Sequence, residues 1–424
     1  MASILAALRF GRRPGVPPGD LINLESLERS NRRILVELSE THGPVFKIIE
    51  ENQPQICVIG LERGRALMRD HANRLQPVNI DITPIVEGGF MRHMSGATHK
   101  SYRSALIAAI TTVDMKAAQQ DCEDIARHAL RNYEQALDAG DDGAVALQDA
   151  LSSISLGFLI RLFYGMTLRQ DVFTTVAELF RNLGPHGVVW NVGDVQKHAF
   201  SAIVETLHSH LENKPSFNID NILCSVFESG QLDSTMLGNL IYMVEIGRYD
   251  MAGLFKWICQ KAALSSKYIG QIRDAADEKI ARDLARAFVL ETLRMDQSER
   301  LIRRVNDEFT FEGFRFPKDW RVRVCMWESH KLGENFADPF KFKPERFLKS
   351  SPSPNIYSPF GLDHHQCPLS SISVALGVQF LLALVRDYDV TAANDGQSVR
   401  GPYHWEPPVD FFVRLQPNAV HGHV

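Results

Sequence analysis

Residues 360 to 371 read FGLDHHQCPLSS. They place His364, His365 and Cys367 within four residues, just ahead of a long apolar stretch. Three chemistries use such side chains. Zinc takes His and Cys in tetrahedral sets, but adjacent histidines point apart and no fourth ligand lies nearby in the sequence. A buried, inert thiol with incidental histidines is the second. The third is a single thiolate at Cys367. Pro368 suits the first turn of the following helix, whose unpaired N–H groups and positive dipole end would stabilise a sulfur anion. A thiolate is a strong iron ligand, and as the axial ligand of haem it pushes electron density toward O–O cleavage. His365 is then placed to meet a negatively charged group beside the metal plane.

Three further stretches carry paired polar groups. In ETLR, Glu291 and Arg294 stand at i,i+3 on one helix face and can form a fixed ion pair. In GATHKSYR, His99 and Arg103 are four apart, and both can donate to a carboxylate. For these two, a solvated helix face is the alternative. The stretch 235–263 has helical apolar spacing through Leu237, Leu240, Ile241, Val244, Met251, Leu254, Phe255 and Ile258. Arg248 falls inside that apolar stripe. A buried guanidinium needs a partner: Glu245, three residues earlier, supplies one, or Arg248 binds an anionic substrate or recruits its carboxylate for acid–base work.

The cysteine stretch resembles the haem-binding loop of the cytochrome P-450 superfamily, written FxxGx[HR]xCxG. Phe360, His365 and Cys367 match, while Asp363 and Leu369 stand where the family has glycine. Matching stretches follow in the family's order from residue 96 to 376. The resemblance implies haem b (iron protoporphyrin IX), with Cys367 as axial ligand and His365 and Phe360 beside it. His99 and Arg103 would clamp haem propionates, joined by Arg303 or Arg304 of RLIRRV. ETLR is similar to the ExxR signature, and Arg346 of FKPERF would complete a Glu291–Arg294–Arg346 lock beneath the haem. The family's long helix carries [AG]Gx[DE]T, an acid and an alcohol that deliver protons. Aligned on Gly247, this chain has Tyr249 at the acid and Asp250 at the threonine. Asp250 is therefore the candidate proton donor and Tyr249 a candidate for ordering water. A peroxide-using branch resembles this arrangement with an arginine in the same helix, but a proline follows it there and Tyr249 follows Arg248 here.

The implied fold is mainly α, a helical prism with small β-sheets, as a single domain over 1–424. The implied activity is that of a haem-thiolate monooxygenase. It would use O2, with electrons from a ferredoxin and ferredoxin reductase, to oxidise a small, partly apolar organic molecule. The altered GRYD motif keeps open a peroxygenase, or a redox-neutral isomerase, dehydratase or group-transfer enzyme. The two glycine replacements keep open a haem-binding protein without turnover.

The elements that must position these residues are legible in outline. Helical patterns cover 97–110, 114–139, 144–164, 169–183, 196–212, 235–263, 276–295 and 368–386. VFKII and ICVIG flank a turn as a hairpin, FTFEGFRFP and RVRVCMW read as strands, and YDVTAA and VDFFVRLQP read as terminal strands. The 424 residues are 45% apolar, ample for a large core, and a net charge of −5 with dispersed Lys and Arg gives no nucleic-acid signature. Cys57, Cys122, Cys224, Cys259, Cys325 and Cys367 form no CxxC pair, which suits a reducing compartment. No uninterrupted apolar run is long enough to span a bilayer. A soluble cytoplasmic monomer without a transmembrane anchor is the expectation. Residues 70–90 and 180–195 are candidate substrate-lining segments.

Overall fold

The computed structural model describes residues 14–19, 31–78, 81–184, 189, 191–213, 220–297, 300–349, 352–363, 366–394, 396–400 and 405–418. In chain order the described helices are α1 Ile34–His42, α2 Leu61–Asp70, α3 Gly96–Thr111, α4 Gln119–Ala139, α5 Gly143–Tyr164, α6 Asp171–Leu183, α7 Asp194–Glu212, α8 Ile222–Glu228, α9 Ser234–Leu264, α10 Ser266–Arg273, α11 Glu278–Thr292, α12 Met326–Ser329 and α13 Ser370–Asp387. The strands are β1 Val45–Glu50, β2 Gln53–Ile59, β3 Leu75–Pro77, β4 Arg300–Val305, β5 Phe309–Phe311, β6 Phe314–Phe316, β7 Arg321–Cys325, β8 Tyr388–Ala392, β9 Val399–Arg400, β10 Trp405–Glu406 and β11 Val413–Pro417. The protein is thus mainly helical with small sheets. It divides into two compact units, one of Met1–Val78, Ser298–Lys341 and Pro352–Gln366, the other of Asn79–Gln297, Phe342–Ser351 and Cys367–Val424.

The first unit holds a five-stranded sheet in the order β1-β2-β7-β4-β3. β1 and β2 form the expected hairpin, with Val45 opposite Val58 and the turn residues Glu51 and Asn52 both at positive φ. That is the backbone a two-residue hairpin turn requires. β2 runs parallel to β7, with Ile56 opposite Val322 and Val58 opposite Val324. Both sheet faces are covered, so ICVIG reads as a continuous apolar run rather than an alternation. Ile56, Val58, Val322 and Val324 enter one cluster with Leu61 and Leu67 of α2, while Cys57, Ile59 and Cys325 enter another with Leu35 of α1.

In the second unit α9, the longest helix, packs along α5, and α13 packs on α11 and α4. α5 and α13 are long and apolar enough to cross a membrane by length and composition, but 61% of each apolar window is buried within the protein. They are apolar all round because they are enclosed by other helices. Two small antiparallel sheets, β8 with β11 and β9 with β10, complete this unit.

Several expectations shift at their edges. The helix expected from 114 begins at Gln119, because the Asp114 carboxylate accepts the Lys116 N–H at 2.8 Å and the Asp114 N–H donates to Asp220 Oδ1 at 2.6 Å. Such side-chain bonds favour a turn over a helix. The helix expected to run to 295 ends at Thr292 and widens into a π turn over Leu293–Gln297. The strand expected through 327 stops at Cys325, where α12 begins.

Candidate functional site

The site is best built from α13. Gln379 and Arg386 on that helix both reach Glu123 of α4, at 3.0 and 3.4 Å. The Phe255 ring of α9 stacks on Phe380 with centroids 4.4 Å apart. At Gly377 an added Cβ would lie 2.9 Å from Val289 Cγ1 of α11, so the absence of a side chain sets how closely the two helices approach. α13 is thereby fixed against α4, α9 and α11, and Cys367 lies three residues before it.

Cys367 is half-buried. Burial is the first cause of a thiol pushed up to about 11, and the Asp250 carboxylate adds to it. The Leu369 N–H and the guanidiniums of Arg92 and Arg103 act in the opposite direction. Leu369 stands where the family loop has glycine, and its effect on the sulfur comes from the backbone N–H, which glycine and leucine share. The loss of this glycine therefore leaves the donor in place.

Arg103 and His99 lie on α3 one turn apart. Burial lowers the Arg103 pKa and the Cys367 sulfur raises it, so the two groups share one electrostatic environment. α3 is tied to the start of α9 by Tyr102, whose hydroxyl donates to Asp233 Oδ2 at 2.7 Å, while Asp233 Oδ1 caps α9 by accepting the Met236 N–H. Arg92, in the 3-10 turn Met91–His93, was not singled out from the sequence. Its turn is held by buried Asn239 of α9, which accepts the Met91 N–H at 2.6 Å and donates to Gly89 O at 3.1 Å. No local pattern announces Arg92; it comes into play through a contact 148 residues away along the chain.

On α9, Arg248 is buried and engaged. Its Nε donates to Glu245 Oε2 at 3.0 Å, and Nη2 reaches Glu245 Oε1 at 3.2 Å, Gly184 O at 3.0 Å and the Tyr249 hydroxyl at 2.8 Å. Tyr249 OH donates to the same Gly184 carbonyl at 2.5 Å. Burial pushes Glu245 up to about 7, against the pull of Arg248. The carboxylate partner expected for Arg248 is thus present. Arg248 and Tyr249 together pin the end of α6 to α9, while Asp250, half-buried on the next position, acts on the Cys367 sulfur.

Glu291 and Arg294 are fully buried. Arg294 donates from Nε to Oε2 at 2.7 Å and from Nη2 to Oε1 at 2.8 Å, with Arg294 itself in the π turn. Arg346 lies 3.4 Å from Glu291, which also accepts the Lys343 N–H at 2.8 Å. A carboxylate with three hydrogen-bond donors and a second guanidinium 3.4 Å away is a lock between α11 and the 342–347 segment.

In the first unit, strand alternation along β4 separates the two arginines: Arg303 is buried and Arg304 exposed. Phe360 is half-buried at the start of the cysteine loop, and Asp363 takes φ +48°. His364 and His365 lie outside the described residues. Among the described residues no three His, Cys, Asp or Glu side chains cluster as metal ligands. The second unit instead offers one half-buried cysteine with two guanidiniums in its field. That donor set fits an iron porphyrin, which needs one axial ligand from the chain and cations for its two carboxylates.

Comparison with known proteins gives the same direction. The Cytochrome P450 family model matches residues 266–403, which hold the Glu291 lock and the cysteine loop. A Citrus sinensis protein, cytochrome P450 family 716 subfamily AD polypeptide 2, is 34% identical over 132 residues, 30% of this chain and 27% of that one. Abscisic acid 8'-hydroxylase 1 of Arabidopsis thaliana is 22% identical over 325 residues, 71% of this chain and 68% of that one. The match to the Citrus sinensis protein spans about a quarter of that relative's length. Among solved structures, retinoic acid-bound cyanobacterial CYP120A1 superimposes with a TM-score of 0.73 at 18% identity, covering 96% of this chain and all of that one. A zebra fish cytochrome P450 with progesterone gives 0.69 at 17%, covering 92% and 100%.

Proposed function

From its membership of the cytochrome P450 superfamily, whose cofactor is haem, we propose that the chain is a haem-thiolate monooxygenase of a small, partly apolar organic molecule. The observation that carries this reading is the position of Cys367, three residues ahead of α13, with Arg92 and Arg103 acting on its sulfur. Cys367 would hold the haem iron through its sulfur. Arg103, His99 and Arg92 would hold the propionates. Haem, when bound, supplies oxygen activation and insertion.

The chain's own residues do the rest. A metal ligand at Cys367 would have to be the thiolate, and the Arg92 and Arg103 guanidiniums act on the sulfur in the direction that favours that form. Asp250 would hold a proton on its carboxyl oxygen and pass it to the reacting oxygen directly or through one water. Arg248 and Tyr249 act one step back. Their shared grip on Gly184 fixes the backbone just ahead of Asp250. Electrons would come from a ferredoxin and its reductase. Names of relatives and neighbours, among them abscisic acid 8'-hydroxylase, ent-kaurenoic acid oxidase and structures bound to retinoic acid, progesterone and myristic acid, support an apolar carbon skeleton for the substrate.

The second reading, a peroxygenase or redox-neutral catalyst, rests on the replaced acid–alcohol pair. Product formed only with NADPH, ferredoxin and reductase supports the first reading. Product with hydrogen peroxide alone, or with neither oxidant nor electrons, would replace it with the second.

A further inference from the structure

The family pattern has glycine where this loop has Asp363, and Asp363 nonetheless takes the left-handed backbone, φ +48°. That region disfavours residues with a Cβ, though Asp tolerates it better than most. The structure shows what holds it there. Arg65 on α2 donates from Nη1 to Asp363 Oδ1, and from Nη2 to Ser358 Oγ at 3.1 Å and to Pro354 O at 3.2 Å. Ser358 Oγ donates onward to Gly361 O at 2.6 Å, and the Ser358 N–H donates to buried His330 Nε2 at 3.0 Å. One guanidinium thus grips the segment at 354, 358 and 363. Beyond the grip, the Gln366 N–H donates to Asp363 O at 3.0 Å, closing a turn one residue before Cys367.

Arg65 can reach because its helix lies close. At the preceding residue, Gly64, an added Cβ would stand 2.5 Å from Val324 Cγ1 and 3.3 Å from Leu362 Cδ1. Leu362 is itself buried in the same cluster as Leu61 and Leu67. The loop is therefore seated on α2 by an apolar contact at Leu362 and fixed by a charged one at Asp363. The planar fork of arginine suits this, since it presents several donors in one rigid geometry.

We propose that Arg65 is a positioning residue for the thiolate ligand: through Asp363 it imposes the loop backbone that glycine allows elsewhere in the family. This rests on the haem-thiolate reading of Cys367. The test uses the full chain in five forms: wild type, Arg65→Ala, Asp363→Ala, Asp363→Gly and Arg65→Ala/Asp363→Gly. Reduced protein under carbon monoxide is scored for the ratio of sulfur-bound to other ferrous carbonyl. Arg65→Ala and Asp363→Ala should each lower that ratio about tenfold, the factor that roughly 1.4 kcal/mol of left-handed strain represents. Asp363→Gly should match wild type, and the double variant should regain most of what Arg65→Ala loses, because glycine needs no grip. A merely structural Arg65 would lower stability without this rescue. An unchanged ratio in Arg65→Ala, or a double variant as impaired as the single one, overturns the proposal. Should Arg65→Ala not accumulate, Asp363→Ala against Asp363→Gly decides the same point. Amide hydrogen exchange at Gln366 in haem-free protein is the independent arm: Arg65→Ala should speed it severalfold, and adding Asp363→Gly should slow it again. If wild type shows no sulfur-bound band, the haem-thiolate reading fails, while the exchange series still decides whether Arg65 holds the loop.

Discussion

Replacing Glu291 by Ala should be among the most damaging single changes in the protein. Arg294 and Glu291 are both fully excluded from solvent, and Arg294 is bound by two charge-assisted hydrogen bonds of 2.7 and 2.8 Å. Removing the carboxylate leaves a guanidinium buried without its counter-charge, a change that costs about 3–5 kcal/mol. The Lys343 N–H loses its acceptor as well, worth roughly 1–3 kcal/mol more if water does not reach it. Together these approach the whole stability of an ordinary domain, about 5–15 kcal/mol. Glu291→Ala should therefore yield little soluble, cofactor-loaded protein. Glu291→Gln retains an acceptor for the Lys343 N–H and should cost about half as much. A double change, Glu291→Leu with Arg294→Met, should be less harmful than Glu291→Leu alone, because no unpaired charge remains. Guanidinium unfolding followed by circular dichroism, with the coupling taken from the double-mutant cycle, measures this. A cost below about 1 kcal/mol for Glu291→Ala, or additive single and double changes, would refute the idea of a buried charged lock.

Other consequences are open to direct test. Asp250→Asn should lower product formed per electron consumed by about 10²-fold or more, the usual weight of a positioned proton donor; unchanged coupling would remove Asp250 from proton delivery. Arg103→Ala should weaken haem retention by roughly 10–100-fold, as expected for loss of a charge-assisted contact to a carboxylate, read as haem transfer to a competing apoprotein. The raised Glu245 carboxyl gives a pH dependence of known sign. Protonated Glu245 stabilises the folded chain fully below its ordinary value of 4.5, and that contribution is lost as pH rises through about 7. The loss is on the order of 3 kcal/mol, and Glu245→Gln should flatten the change in thermal stability between those limits. Gly377→Ala brings a methyl to within 2.9 Å of Val289 Cγ1 and should cost about 1–3 kcal/mol by overpacking between α11 and α13.

The long helices were legible because α4, α6, α9 and α11 repeat their apolar residues every three or four positions. The missed helices were short. Ile34–His42 and Leu61–Asp70 are polar enough that their few core residues, such as Leu35 and Leu67, reveal a face only once the sheet is present. RLIRRV does not look like a strand, since three arginines interrupt it, yet β4 sits between β7 and β3 with Arg303 turned inward. Within the site, spacing exposed whatever lies on one helix: His99 with Arg103, Glu245 with Arg248, Glu291 with Arg294. It did not expose what tertiary structure brings together. Arg92 depends on Asn239, and the tolerance of Asp363 depends on Arg65, 298 positions earlier. Read locally, Asp363 and Leu369 are departures from the family loop. In the folded chain one is held by a guanidinium, and the other acts on the sulfur through a backbone N–H that glycine would also have.

The identity of the ligand on Cys367 is the claim on which the rest depends. The direct measurement is the absorption of purified, reduced protein under carbon monoxide, for wild type and Cys367→Ser side by side. The wild-type chain should give the red-shifted Soret band of a sulfur-bound ferrous carbonyl, and Cys367→Ser should lack it. A wild-type spectrum without that band, or a serine variant with the same pigment and the same spectrum, would contradict the account.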